Sequence, residues 1–163
     1  MASPFYLRNL IKNKSAELIV FEMFREGGDD YIVAPFGQEM IVSELASVEK
    51  GEALKQEVSR LHERPQLSII DQVRNNHYLV KVKYRENPTP QMILSIAQEI
   101  ATSWPAAYLC LVTPIGFFFE SCRDIIEKAG DILLIDPELI SLEVQDKYLR
   151  LANETIRQKD EVN

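Results

Sequence analysis

An α/β sandwich around a mixed sheet is the fold this 163-residue sequence predicts, and three observations predict it. Segments with helical spacing alternate with short apolar runs of strand length. Proline, glycine and asparagine mark most of the junctions between them. Hydrophobic residues make up 46% and charged residues 26%, the balance of one globular domain with room for a sizeable core. That domain is expected over residues 1–158, with 159–163 a polar tail.

The elements follow in order. Leu7 to Arg25 carries Leu7, Leu10, Ile11, Leu18, Phe21 and Phe24 at broadly helical spacing, and Gly27-Gly28 ends the helix. Tyr31–Pro35 reads as a short strand at a sheet edge, because proline cannot donate to a central ladder. Ile41 to Leu61 reads as a charged, solvent-facing helix, with its acidic run from Glu44 to Glu63 on the solvated side. Leu67–Asp71 and His77–Tyr84 form a strand pair whose connection contains Asn75-Asn76, residues that tolerate positive φ. Thr89 caps a helix with Pro90 in its first turn, running to about Ser103 on Met92, Ile93, Ile96, Ala97 and Ile100. Trp104-Pro105 breaks the chain before a buried strand over residues 107–112. A turn at Thr113–Gly116 leads to the strand carrying Phe117-Phe118-Phe119, with Phe118 on one face and its neighbours on the other. A short helix over Cys122–Ala129, a strand at Ile132–Ile135 and an amphipathic helix over Leu142–Arg157 complete the chain.

Several classes of function are excluded by what is missing. No run approaches 18 apolar residues, so no membrane span is expected. The start, Met1 to Tyr6, has no basic region ahead of an apolar segment, which predicts no secretory signal. Cys110 and Cys122 lie in apolar stretches and read as buried free thiols in a reducing, cytoplasmic compartment. His62 and His77 lack the companions a zinc site needs. Ser15, Ser68, Ser121 and Cys122 have no nucleophile-elbow context, and Gly27-Gly28 follows a helix instead of opening one, so no phosphate loop is present. The net charge of −7 opposes a polyanion, which argues against nucleic acid as a partner. The aromatic triplet, a conceivable base-stacking platform, reads as core.

Chemistry concentrates in one hairpin. By strand alternation His77, Leu79, Lys81 and Lys83 share a face, as do Gln66, Ser68 and Ile70 on the partner strand, so Gln66 comes near Lys81 and Lys83. The stretch from Arg64-Pro65-Gln66 through Lys81-Val82-Lys83 resembles the core of the PD-(D/E)xK nuclease superfamily, in which Pro-Asp opens one strand and acid-x-Lys lies on the next. Lys14-Ser15-Ala16-Glu17-Leu18 is similar to the first helix of its junction-resolvase-like members, with Glu17 matching a supporting glutamate. The resemblance covers about Asn9 to Ile135. It implies a restriction-endonuclease-like three-layer sandwich, with a central mixed sheet flanked by helices, and a site made of Glu17, Gln66, Lys81 and Lys83.

Two acids of that site are replaced. Gln66 offers a neutral carbonyl oxygen where the family has a carboxylate, and Lys81 puts a cation where a metal ligand stands. Mg²⁺ takes hard oxygen ligands, so the expected site holds no metal and no other cofactor, and the family's hydrolysis is not expected. The leading expectation is an inactive nuclease-fold protein that works as an interaction or structural module, with a protein partner or a second copy in a homodimer. Two alternatives stand beside it. One is a divergent Mg²⁺-dependent DNA nuclease whose ligands have moved to Glu17, Glu22 or Asp71, the last needing a strand bulge to reach the site. The other is a non-cleaving nucleic-acid binder using Arg74, Lys81, Lys83 and Arg85. Lysines on a strand also blunt a sheet edge with no site at all.

Overall fold

A computed structural model describes residues 4–28, 30–36 and 63–157. The helix expected at Ile41–Leu61 and the tail at 159–163 lie outside them. The elements are α1 (Pro4–Glu26), β1 (Tyr31–Pro35), β2 (Leu67–Asp71), β3 (Asn76–Tyr84), α2 (Pro90–Ser103), β4 (Tyr108–Thr113), β5 (Gly116–Ser121), α3 (Cys122–Glu127) and α4 (Leu142–Arg157). The five strands form one mixed sheet in the order β1-β2-β3-β4-β5. Only β3 and β4 run parallel, joined by the crossover through α2, while the other three pairs are antiparallel. Helices flank both faces, an arrangement compatible with a three-layer sandwich.

Alternation divides the core in two. Val80, Val82, Tyr84, Cys110, Val112 and Phe117 pack against Ala16, Val20, Met23 and Phe24 of α1 and Tyr148, Ala152 and Ile156 of α4. Leu109 and Leu111 point the other way, into a second cluster with Ile93, Ile96, Ala97 and Ile100 of α2 and Ile125 of α3. The aromatic triplet obeys the same rule: Phe117 and Phe119 join the first cluster and Phe118 the second.

Local chemistry sets the ends of elements. Thr89 caps α2 by accepting from Met92 N–H at 3.2 Å, with Pro90 supplying a fixed φ in the first turn. Asn75 takes φ 52° in the β2–β3 turn, which its short polar side chain tolerates. Gly130 has φ 95° after α3, and a Cβ there would lie 2.0 Å from the Pro90 carbonyl oxygen, so only glycine fits.

Two expectations fail. In the stripe predicted for α1, Leu10, Ile11 and Leu18 are exposed, and the buried face is Ala16, Ile19, Val20, Met23 and Phe24. The helix is apolar on both sides, so spacing alone did not select the inward face. Residues 132–135 are not a strand: they touch the sheet through a single bridge, Phe118 to Leu134. Gly130 before them and the turn in which Leu139 N–H donates to Asp136 O after them leave length for one narrow pair only.

Candidate functional site

The site begins where the β2 ladder stops. Gln66 N–H donates to Val80 O at 2.9 Å, and the next residue back, Pro65, has no N–H to continue the pairing. β3 nevertheless runs on to Tyr84, held on its other side by β4 with Tyr84 opposite Val112. Two backbone donors on the β2 side of β3 thereby lose their strand partner, and side chains take them up. Val82 N–H donates to Gln66 Oε1 at 2.6 Å, and Tyr84 N–H to Asn13 Oδ1 at 2.9 Å.

Asn13 stands one helical turn before Glu17 on α1. Gln66 Nε2 donates to Glu17 Oε1 at 2.8 Å, so one amide bridges the strand and the helix. The amide both accepts from Val82 and donates to Glu17; a carboxylate there would meet Glu17 as a like charge. Lys14 Nζ lies 3.5 Å from Glu17 Oε2.

Lys81 sits one position beyond the Leu67–Val80 pair, across from Gln66, and is 6% exposed. It lines up with Leu109 and Lys83 with Leu111, on the sheet face that carries α2 and α3. Lys83 Nζ is 3.9 Å from Glu63 Oε2, an oxygen that is buried and has no hydrogen-bond partner among the described residues. The charges are held against their preference. Burial, then the neighbouring Lys83, push the Lys81 ammonium down from 10.5 to about 8, despite the attraction of Glu63 and Glu17. Burial raises the Glu17 carboxyl above its ordinary value, despite Lys14, Lys81 and the hydrogen bond from Gln66.

Gln66 thus bonds Glu17 and stands across from Lys81, while Lys81 and Lys83 share the sheet face that carries α2 and α3. The other candidates lie elsewhere. Asp71 closes the far end of the hairpin, accepting from Val73 N–H, Arg74 N–H and Arg74 Nη1 at 3.1, 3.0 and 3.0 Å. Glu22 is exposed and pairs with Arg25 at 3.4 Å. The basic set splits: Arg85 follows β3 at the open end, donating to Tyr84 O, while Arg74 is at the turn end, on the order of 30 Å away along the strand. Arg74 is also tied to Glu138 O.

Sequence reasoning missed two members. Asn13 carried no signal beyond its spacing from Glu17, and its partner Tyr84 is 71 residues away. Glu63 was assigned to a solvated helix face, but its side chain is 19% exposed and faces Lys83. The proximity of Glu63 to Pro65 was the available clue.

The donor set does not suit Mg²⁺. The carbonyl oxygen of Gln66 is committed to Val82 N–H, Lys81 brings a positive charge, and among the described residues Glu17 and Glu63 are the carboxylates whose charges act on Lys81. Among the described residues no group of three or more His, Cys, Asp and Glu side chains is gathered as a cation would require. Ser68 Oγ and His77 Nε2 lie 2.7 Å apart. No described helix is long and apolar enough to cross a membrane. No protein-family model, curated protein or solved structure matches the chain.

Proposed function

We propose that this protein is a nuclease-like fold without nuclease chemistry, acting as an interaction or structural module that engages another protein or a second copy of itself. One observation carries the reading. Gln66 spends both ends of its amide joining Val82 to Glu17, while the Lys81 ammonium is buried where a metal-binding carboxylate would stand. The helix, three strands, helix and strand that frame this opening follow the order that the resemblance to PD-(D/E)xK nucleases implies, which supports a restriction-endonuclease-like core. The acidic net charge of −7 favours a protein partner over nucleic acid.

The test is calorimetric titration with Mn²⁺ of the wild type beside the double variant Gln66→Asp, Lys81→Glu, with the mass in solution measured by light scattering. Binding by the double variant alone agrees with the proposal. Tight binding by the wild type sinks it.

A second reading, a metal-dependent DNA nuclease with relocated ligands, draws support from Glu63. This carboxylate is close to Lys83, and both act on Lys81. Under it, Lys83→Ala abolishes cleavage of branched or duplex DNA by the Mg²⁺-loaded protein. A third, binding to nucleic acid without cleavage, predicts an affinity that falls steeply with salt.

A further inference from the structure

The outward face of α1 carries a stripe with its own symmetry. Ile11, Lys14, Leu18, Glu22 and Arg25 follow one another at spacings of three and four, so they share one side of the helix, away from the buried Ala16, Val20 and Met23. Ile11 is 46% exposed and Leu18 68%, and Leu10, 41% exposed, flanks them. The five positions are symmetric about Leu18: Lys14 and Glu22 stand four residues to either side of it, Ile11 and Arg25 seven.

That symmetry decides what suits the stripe. Two copies of α1 crossing antiparallel at Leu18, about a two-fold axis perpendicular to the helix, set Leu18 against Leu18, Lys14 against Glu22 and Ile11 against Arg25. Opposite charges then meet twice, once on each side of the axis, and the hydrocarbon stem of Arg25 covers Ile11. A parallel crossing sets each residue against itself, so ammonium faces ammonium and carboxylate faces carboxylate. Neither charge has to leave its own helix, where Lys14 is 3.5 Å from Glu17 and Glu22 is 3.4 Å from Arg25. The pairs between copies lie at the rim and set orientation more than affinity. A surface that complements itself is what a two-fold interface requires, and an unrelated partner makes no such demand.

We propose that α1 is the contact between two copies of this protein, a two-fold pair in which the helices cross antiparallel at Leu18. This rests on the reading of the chain as an interaction module and names the partner as a second copy. The driving force is the removal of Leu18, Ile11 and Leu10 from water on both copies. One helix a side is a small interface, so the pair is weak, with dissociation expected in the range of about 10–100 µM.

The experiment is light scattering and sedimentation of the full chain from about 1 to 500 µM, beside Leu18→Lys. The result expected is a mass that rises to twice that of the chain, with association about tenfold weaker or more in the variant. Leu18 is exposed in the single copy, so Leu18→Lys keeps the wild-type urea unfolding curve at the lowest concentration. Disulfide trapping fixes the geometry. Leu18→Cys meets its own counterpart at the axis and cross-links on oxidation, whereas Ile11→Cys lies about 20 Å from its counterpart and does not. Cys110 and Cys122 are buried and add no cross-link. A chain that stays a single copy at every concentration overturns the proposal and leaves the stripe to a different protein. A dimer that Leu18→Lys leaves intact, or one that cross-links through Ile11→Cys, overturns it as well. None of these outcomes bears on the Mn²⁺ titration, so the two-fold pair and the metal-free reading fail separately.

Discussion

The two ends of the β2–β3 hairpin each hold a carboxylate, Asp71 buried and Glu17 partly buried, and they treat it in opposite ways. At the turn end burial pushes the Asp71 carboxyl up, but the hydrogen bonds from Arg74, its charge and Val73 N–H outweigh that, and the group is held below its ordinary value. At the open end Glu17 is raised and Lys81 is lowered, each pulled toward its neutral form. The turn end is satisfied by groups within three residues of sequence, while the open end collects α1, β2 and β3. Asp71 therefore contributes to stability, and the open end retains ions that cost stability. Ionisable groups held at a cost in free energy are candidates for a role other than folding, and this is the physical reason for proposing one at Lys81 and not at Asp71.

The largest effect tests the firm end. Asp71→Ala leaves Val73 N–H and Arg74 N–H without their acceptor and removes the partner of a guanidinium that is itself 38% exposed. The lost backbone hydrogen bonds dominate, and a loss of about 2–3 kcal/mol in urea unfolding is expected. Because the native pKa is depressed, this contribution is present above the unfolded value of 3.8 and disappears as pH falls through the native one. A loss under about 1 kcal/mol would erase the contrast between the two ends.

Lys81→Met tests the costly end and has the opposite sign. Holding an ammonium whose pKa drops from 10.5 to about 8 costs on the order of 3 kcal/mol at neutral pH, so the variant is expected to gain about 1–3 kcal/mol after repacking. The pH dependence gives a second readout. Between about 8 and 10.5 the unfolded chain binds the proton that the folded one has released, so wild-type stability rises with pH across that window. The variant should show no such rise. A destabilised Lys81→Met with an unchanged pH profile would mean that the lysine is a settled ion-pair partner.

The same contrast explains what was legible in the sequence. The Thr89-Pro90 cap and the Asn75 turn are decided by atoms a few residues apart, so residue types suffice to place them. The placement of Gln66 across from Lys81 follows from strand alternation once the turn fixes the register. The inward face of α1 was not legible, because Leu10, Ile11 and Leu18 compete with Ala16, Val20 and Met23 on equal terms in any apolar count. Asn13 and Glu17 resolve that choice by bonding at β3 and β2, and their partners Tyr84 and Gln66 lie 71 and 49 residues along the chain. Glu63 was hidden for a related reason: the charge it faces is Lys83, on a strand that the chain reaches only after the hairpin turn.

Gln66→Glu is the next smaller perturbation. The new side chain still accepts from Val82 N–H but sets a carboxylate against Glu17 in place of the 2.8 Å hydrogen bond. A loss of about 1–2 kcal/mol at pH 7 is expected, reduced on acidification as one of the two carboxyls takes a proton. Adding Mn²⁺ sharpens the comparison, since a cation that restores the lost stability means that the open end still accommodates metal once an acid returns. An unchanged unfolding curve at pH 7 would show that the amide is not what joins α1 to the strands.

The smallest effect expected is that of Glu22→Ala. Glu22 lies on the same helix as Glu17, five residues on, but its side chain is 51% exposed and its pairing with Arg25 at 3.4 Å is solvent-screened. Exposed pairs of this spacing contribute within about 0.5 kcal/mol, so stability and any Mn²⁺ affinity of the Gln66→Asp, Lys81→Glu variant should match with and without the substitution. Glu17→Ala made in the same background should abolish that affinity, because Glu17 is the acid on α1 in contact with Gln66. If Glu22→Ala weakened metal binding as well, the first helix would have to rotate to present both acids, and its inward face would be set by the metal in place of the Asn13 and Gln66 hydrogen bonds.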